Sequence, residues 1–189
     1  MREGVSEAVF VTADHFIFGK ISTAPKRFSD VLNDPMVSWI VLLEAELARP
    51  NEPRKIVATF PEMLLAKAHI LMAIITQEPL DDTQGHLHKY AHRKPEHIYV
   101  CIPPYEVEGV GYLEKGAELH TILSTEAREF IPLAEAIIVH TVNPEVRLRA
   151  EVMLVNRRAI CGLSRSEEVS EEGEPQEQPC EGAPSEEKG

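Results

Sequence analysis

Three polar side chains, Arg27, Asp30 and Asn33, recur every third residue in Arg27-Phe28-Ser29-Asp30-Val31-Leu32-Asn33. Helical spacing puts all three on one face, which makes them the binding candidates of the chain. The same spacing also suits a local Arg–Asp pair with an Asn cap, an arrangement that contributes only about 0.2–0.5 kcal/mol. A second cluster of chemistry-bearing residues is His86, His88 and His92, with His97 close behind. Imidazoles ligate zinc, but a structural site wants four ligands, and no cysteine lies near this H-x-H-x3-H run. A solvated connecting segment accounts for these histidines without a metal.

Cys101, Cys161 and Cys180 are odd in number and form no C-x-x-C, so free thiols in a reducing cytoplasm are expected. Cys101 and Cys161 fall in the first and last strands of the second half and read as small buried hydrophobes. Glu44 and Glu135 occupy matched places within two strands and read as polar-face residues. There is no G-x-S-x-G, P-loop or dinucleotide fingerprint. No catalytic residue, cofactor or metal is therefore expected, and the chain reads as a non-enzyme.

Charge narrows the partners. The chain carries a net charge of −12, and its segment from Arg165 to Gly189 holds nine acidic and two basic side chains. A negative field opposes sequence-independent binding to nucleic acid, which depends on phosphate neutralisation by Lys and Arg. The hydrophobic fraction of 43% is enough for a packed core. The longest apolar run, Met63 to Ile75, is interrupted by Lys67 and His69 and falls short of the ~18 residues of a membrane span. The N-terminus lacks the apolar core of a signal peptide.

The elements that must position these residues are short strands. Val9–Thr12 and Phe16–Ile21 are β-branched and aromatic runs joined by Ala13-Asp14-His15, which predicts a hairpin. Phe28, Val31 and Leu32 have the i, i+3, i+4 spacing of one apolar helical face. Asn33 is expected as a left-handed C-terminal residue, with Pro35 barring continuation. Trp39 to Leu47 predicts a strand buried on much of both faces. In Met63–Ile75, Lys67-Ala68-His69 is expected to be a turn between two strands.

The second half repeats this order. Ile17-Phe18-Gly19 aligns with Val107-Glu108-Gly109, and Phe28, Val31 and Leu32 align with Leu119, Ile122 and Leu123. Trp39–Ala45 aligns with Phe130–Ala136, Leu65 with Leu154, and Leu71 with Ile160. Arg27, Asp30 and Asn33 have no equivalents in Glu118–Ser124. The expected organisation is a first β module at 6–76, a linker at 77–97, a second module at 98–164 and a disordered acidic tail at 165–189.

With Gly19, the stretch Arg27–Asn33 and the turn Val155-Asn156-Arg157-Arg158-Ala159-Ile160, the chain resembles a bacterial domain family of unknown function. That family carries R-[LF]-S-D-x-L-N and a terminal [VL]-N-[KR]-x-x-I, and the resemblance implies no activity. The order of elements is more loosely similar to Sm-like small β-barrels. Asp30 and Asn33 are three apart instead of four, however, and the last turn has no Arg-Gly. The RNA-contact residues of those barrels do not carry over.

The fold expected is mainly β with short helices, a tandem pair of small β-barrel-like or SH3-like modules ordered β-β-α-β-β-β. Phe16 and Phe18 flank Ile17 where the second half has Glu106 and Glu108, so the first module is apolar on both sheet faces. Phe16 and Phe18 are the expected interface residues, facing the other module or another subunit. The expected function is a binding or scaffold protein with a protein partner or self-association. The alternatives are an Sm-like nucleic-acid adaptor using His86–Lys94, or an enzyme of a kind the sequence does not signal.

Overall fold

The computed structural model describes residues 4–77, 93–114, 118–124 and 128–166. The expected β-rich class holds. Among the described residues, ten strands, each antiparallel to its neighbours, form one sheet rather than two closed barrels.

In the first half, β1 (Val5–Val11) and β2 (Phe16–Ser22) form the predicted hairpin and lead into helix α1 (Phe28–Leu32). β3 (Trp39–Arg49) and β4 (Glu52–Ala66) follow, then a 3-10 turn at Lys67–His69 and β5 (Met72–Gln77). The second half repeats this succession as β6 (Arg93–Ile102), β7 (Tyr105–Glu114), α2 (Leu119–Ser124), β8 (Phe130–His140), β9 (Arg147–Asn156), a 3-10 turn at Arg157–Ala159 and β10 (Gly162–Arg165). β6 thus takes in the last five residues of the expected linker, and β10 takes in the first residue of the expected tail. Gln77, the first residue of the expected linker, ends β5, whereas linker residues 78–92, with His86, His88 and His92, and residues 167–189 of the tail lie outside the described residues.

The strand order is β10-β6-β7-β8-β9-β5-β1-β2-β3-β4. Each half therefore runs fifth, first, second, third, fourth strand. The halves meet where β9 pairs with β5, with Met72 opposite Val155, Ala73 opposite Leu154 and Ile74 opposite Met153. This seam leaves β4 at one end of the sheet and β10 at the other.

Matching hydrogen bonds align the halves more finely than composition does. Leu71 N–H donates to the Val11 carbonyl at 2.8 Å, as Cys161 N–H does to that of Cys101 at 2.9 Å. Lys67 N–H donates to Ser38 at 2.9 Å, as Arg157 N–H does to Glu129 at 2.8 Å. Ala66 pairs with Trp39 as Asn156 pairs with Phe130. Met63-Leu64-Leu65-Ala66 therefore matches Met153-Leu154-Val155-Asn156, one residue away from the register expected. Leu-rich runs look alike when slipped by one residue, whereas a slip in a sheet reverses every side chain. In this register Leu65-Ala66-Lys67-Ala68-His69-Ile70 departs from the terminal turn pattern only at Ala66.

Both halves share one irregularity. Glu44 and Glu135 each have φ 51, opposite register shifts beside Gly19 and Gly109. A non-glycine residue at positive φ is uncommon and marks a bulge that bends the strand. A Cβ on Gly109 would lie 3.1 Å from the Ala134 carbonyl oxygen, so glycine is what lets the strands approach there.

Two hydrophobic clusters lie on opposite faces of the central strands. Ala8, Phe10 and Ala73 enter a cluster with Phe28, Leu32 and Leu42 of their own half, together with Phe130 and Leu154 of the other. Val9, Val11, Met72 and Ile74 enter the second cluster with Val100, Tyr105, Ile138 and Met153. Alternation along β1 and β5 thus feeds both cores, as period-2 side chains require.

Candidate functional site

The first candidates, Arg27, Asp30 and Asn33, lie at α1. Arg27 is the N-cap residue and is half-buried, while Asp30 is exposed in the first turn. Asn33 closes the helix with φ −89 and ψ 2, not in the left-handed region expected. Its side chain explains the difference. The amide donates to the Ser29 carbonyl at 2.9 Å and to the Phe130 carbonyl at 3.1 Å, and its oxygen accepts from Phe130 N–H at 2.8 Å. Asn33 thus bridges the first half to the start of β8. Asn33→Ala strands both backbone groups of Phe130 and should cost about 1–2 kcal/mol, read as a lowered urea midpoint.

Phe16 is fully buried, and its ring lies 6.1 Å from that of Tyr105 in the second half. Phe18 is partly buried against the same cluster. Tyr105 O–H donates to the Thr12 carbonyl at 3.4 Å, and burial pushes its phenol up to about 12. Burial, followed by a hydrogen bond with Glu106, likewise pushes Tyr99 up to about 12. An unfolded phenol ionises near about 10, so above that pH the unfolded chain holds fewer protons than the folded one. The stabilisation from these phenols is complete below about pH 10 and is lost as pH rises through about 12. Tyr105→Phe should flatten the alkaline fall in urea midpoint; a fall as steep as wild type would remove Tyr105 as its source.

Among the described residues, no group of three or more His, Cys, Asp or Glu side chains is placed to hold a metal ion. His97 lies on β6, and of the two free thiols expected to be buried in strands, Cys101 is half-buried on β6 while Cys161 is exposed, just before β10. Burial pushes the Cys101 thiol up, away from nucleophilic reactivity. Among the described residues, no helix is long and apolar enough to cross a membrane.

An exposed apolar face lies where the sequence predicted burial. Along Trp39–Ala45, β3 is buried on one face only, through Ile40, Leu42 and Ala45, while Trp39, Val41 and Leu43 face outward; Ala48, near the far end, joins the second cluster. Leu64 of β4 stands opposite Val41 and extends this face, and Phe60 is also exposed on β4. The preceding loop is anchored by Lys67, whose ammonium donates to the Asp34 carbonyl at 2.7 Å and whose pKa is lowered by burial. Lys26 holds the Asp34 carboxylate from the other side at 2.6 Å and lowers its pKa.

Matching positions differ sharply in exposure. Trp39 is 57% exposed and its counterpart Phe130 is 0% exposed; Leu64 is 61% exposed and its counterpart Leu154 is 2% exposed. Phe130 and Leu154 are buried because the first half's core lies over them. At the other end of the sheet, Leu123 of α2 is 37% exposed, whereas its counterpart Leu32, in the cluster with Phe130, is 0% exposed. A hint of this surface was present in the sequence, because Val41 and Leu43 stand where the second half has Pro132 and Ala134.

No protein-family profile, curated protein or solved structure matches the chain.

Proposed function

We propose that the chain is a non-enzymatic binding or scaffold protein, two copies of one small β-barrel-like module placed in tandem and working through their surfaces. The observation that carries this reading is the exposed apolar face of Trp39, Val41, Leu43 and Leu64, while Phe130 and Leu154, the counterparts of Trp39 and Leu64, are covered. Exposed contiguous apolar surface of this kind marks interaction sites. The shared succession of elements, the paired bulges at Glu44 and Glu135 and the matching turn hydrogen bonds support the tandem origin. Phe16 and Phe18 serve the contact between the two modules, Arg27 and Asp30 remain on the surface of α1 as a polar binding element, and the protein works in the cytoplasm. The likeness to the family carrying R-[LF]-S-D-x-L-N belongs to this reading.

The test offers immobilised wild type and Trp39→Glu to a native-cell extract, beside a gel shift with single-stranded RNA at low salt. A protein retained by wild type and lost from Trp39→Glu supports the reading, and equal retention overturns it. An RNA shift that fades with added salt would replace it with the nucleic-acid adaptor.

A further inference from the structure

We propose that chains associate head to tail by repeating the internal seam, with β10 of one chain pairing antiparallel with β4 of a second copy. The inference rests on the tandem reading above and names the partner of the apolar face. Within the chain, the fourth strand of the second half (β9) pairs with the fifth strand of the first (β5). The fourth strand of the first half (β4) and the fifth of the second (β10) are the two ends of the sheet. Among the described residues, the strands that make the seam thus each have a counterpart without a partner strand, at opposite ends of the sheet.

Transferring the seam register through the matching positions fixes the contact. Leu154 opposite Ala73 becomes Leu64 opposite Leu163. Val155 opposite Met72 becomes Leu65 opposite Gly162. Trp39 then covers Leu123 and α2 of the second copy, as Phe130 joins Leu32 and α1 within the chain. Trp39, Leu64 and Leu123 are exposed at the two ends, whereas the seam buries their counterparts Phe130, Leu154 and Leu32. Two side-chain bridges are missing, because Ser124 stands where Asn33 holds Phe130 and Ala66 stands where Asn156 holds the Ile70 carbonyl. Pro53 and Pro61 interrupt the free donors of β4 before its last turn, so Met63–Ala66 is the length of edge suited to the four residues of β10. A contact between two different surfaces is heterologous, so each chain keeps one free end after pairing and assembly continues until a ring closes.

Sedimentation velocity tests this with wild type, Leu64→Lys and Leu163→Lys, each variant blocking one end. Wild type should sediment at two or more chain masses, rising with concentration. Each variant alone should be a monomer, and their equimolar mixture should give a dimer and nothing larger, since each supplies the end that the other lacks. A wild type that stays monomeric up to its solubility limit overturns the proposal, as do variants that assemble like wild type or a mixture that stays monomeric. Leu154→Lys separates this from the tandem seam. If it melts well below wild type while wild type is monomeric, the assembly alone is wrong; if it melts with wild type, the seam itself is wrong.

Discussion

Phe130→Ala should destabilise the protein by about 3–5 kcal/mol, the range for removing a fully buried phenylalanine side chain. Trp39→Ala, at the matching position, should change the stability of the dilute chain by less than about 1 kcal/mol. The two aromatic residues begin equivalent strands and are both large. They differ in what lies above them, since Phe130 sits in the first half's core between α1 and β9, and Trp39 faces water. Urea denaturation at low protein concentration reads both values. Equal losses at the two sites would show that the Trp39 face is already covered within one chain, which would remove the proposed binding surface. The slope of the transition should be unchanged for Trp39→Ala, because no new surface opens on unfolding.

Asn156→Ala should cost about 2–3 kcal/mol, lowering the melting temperature by about 4–12 °C for a protein of this size. The buried amide of Asn156 donates to the Ile70 carbonyl at 2.8 Å across the seam, and its oxygen accepts from Arg158 N–H at 3.0 Å. Alanine fills little of that space and leaves a buried carbonyl without its donor. The counterpart Ala66 lies at the free end, where no strand presents such a carbonyl. Ala66→Asn should therefore stay within about 0.5 kcal/mol of wild type. A loss at Ala66 as large as that at Asn156 would mean that the position matters for the turn and not for the seam.

Much of the local structure was legible because its causes are local. The β1–β2 hairpin, the helical spacing of Phe28, Val31 and Leu32, and the turn at Lys67-Ala68-His69 all follow from neighbours within a few residues. Three features were not, and each depends on a distant partner. The backbone of Asn33 is set by Phe130, 97 residues away, so a local capping rule misplaces it. The one-residue register of Met63–Ala66 is set by Trp39 and Ser38 across the sheet. Continuity of the sheet depends on β9 reaching β5, and no pattern along the chain encodes which strand edges meet. The apolar face was misjudged for the same reason. Trp39, Val41 and Leu43 look like core residues, and only the strand order shows that the first half lacks the neighbour that covers their counterparts.

The β5–β9 pairing also has a consequence for concentration. β5 ends at Gln77 and β6 begins at Arg93, so fifteen residues tether the two halves covalently. Such a tether makes each half see the other at an effective concentration on the order of millimolar. The same pairing between separate chains has only the protein's own concentration to draw on. At about micromolar protein that is a thousandfold deficit, equivalent to about 4 kcal/mol. Dilution should therefore separate neighbouring chains and leave the two halves of a single chain paired, since their contact does not depend on protein concentration.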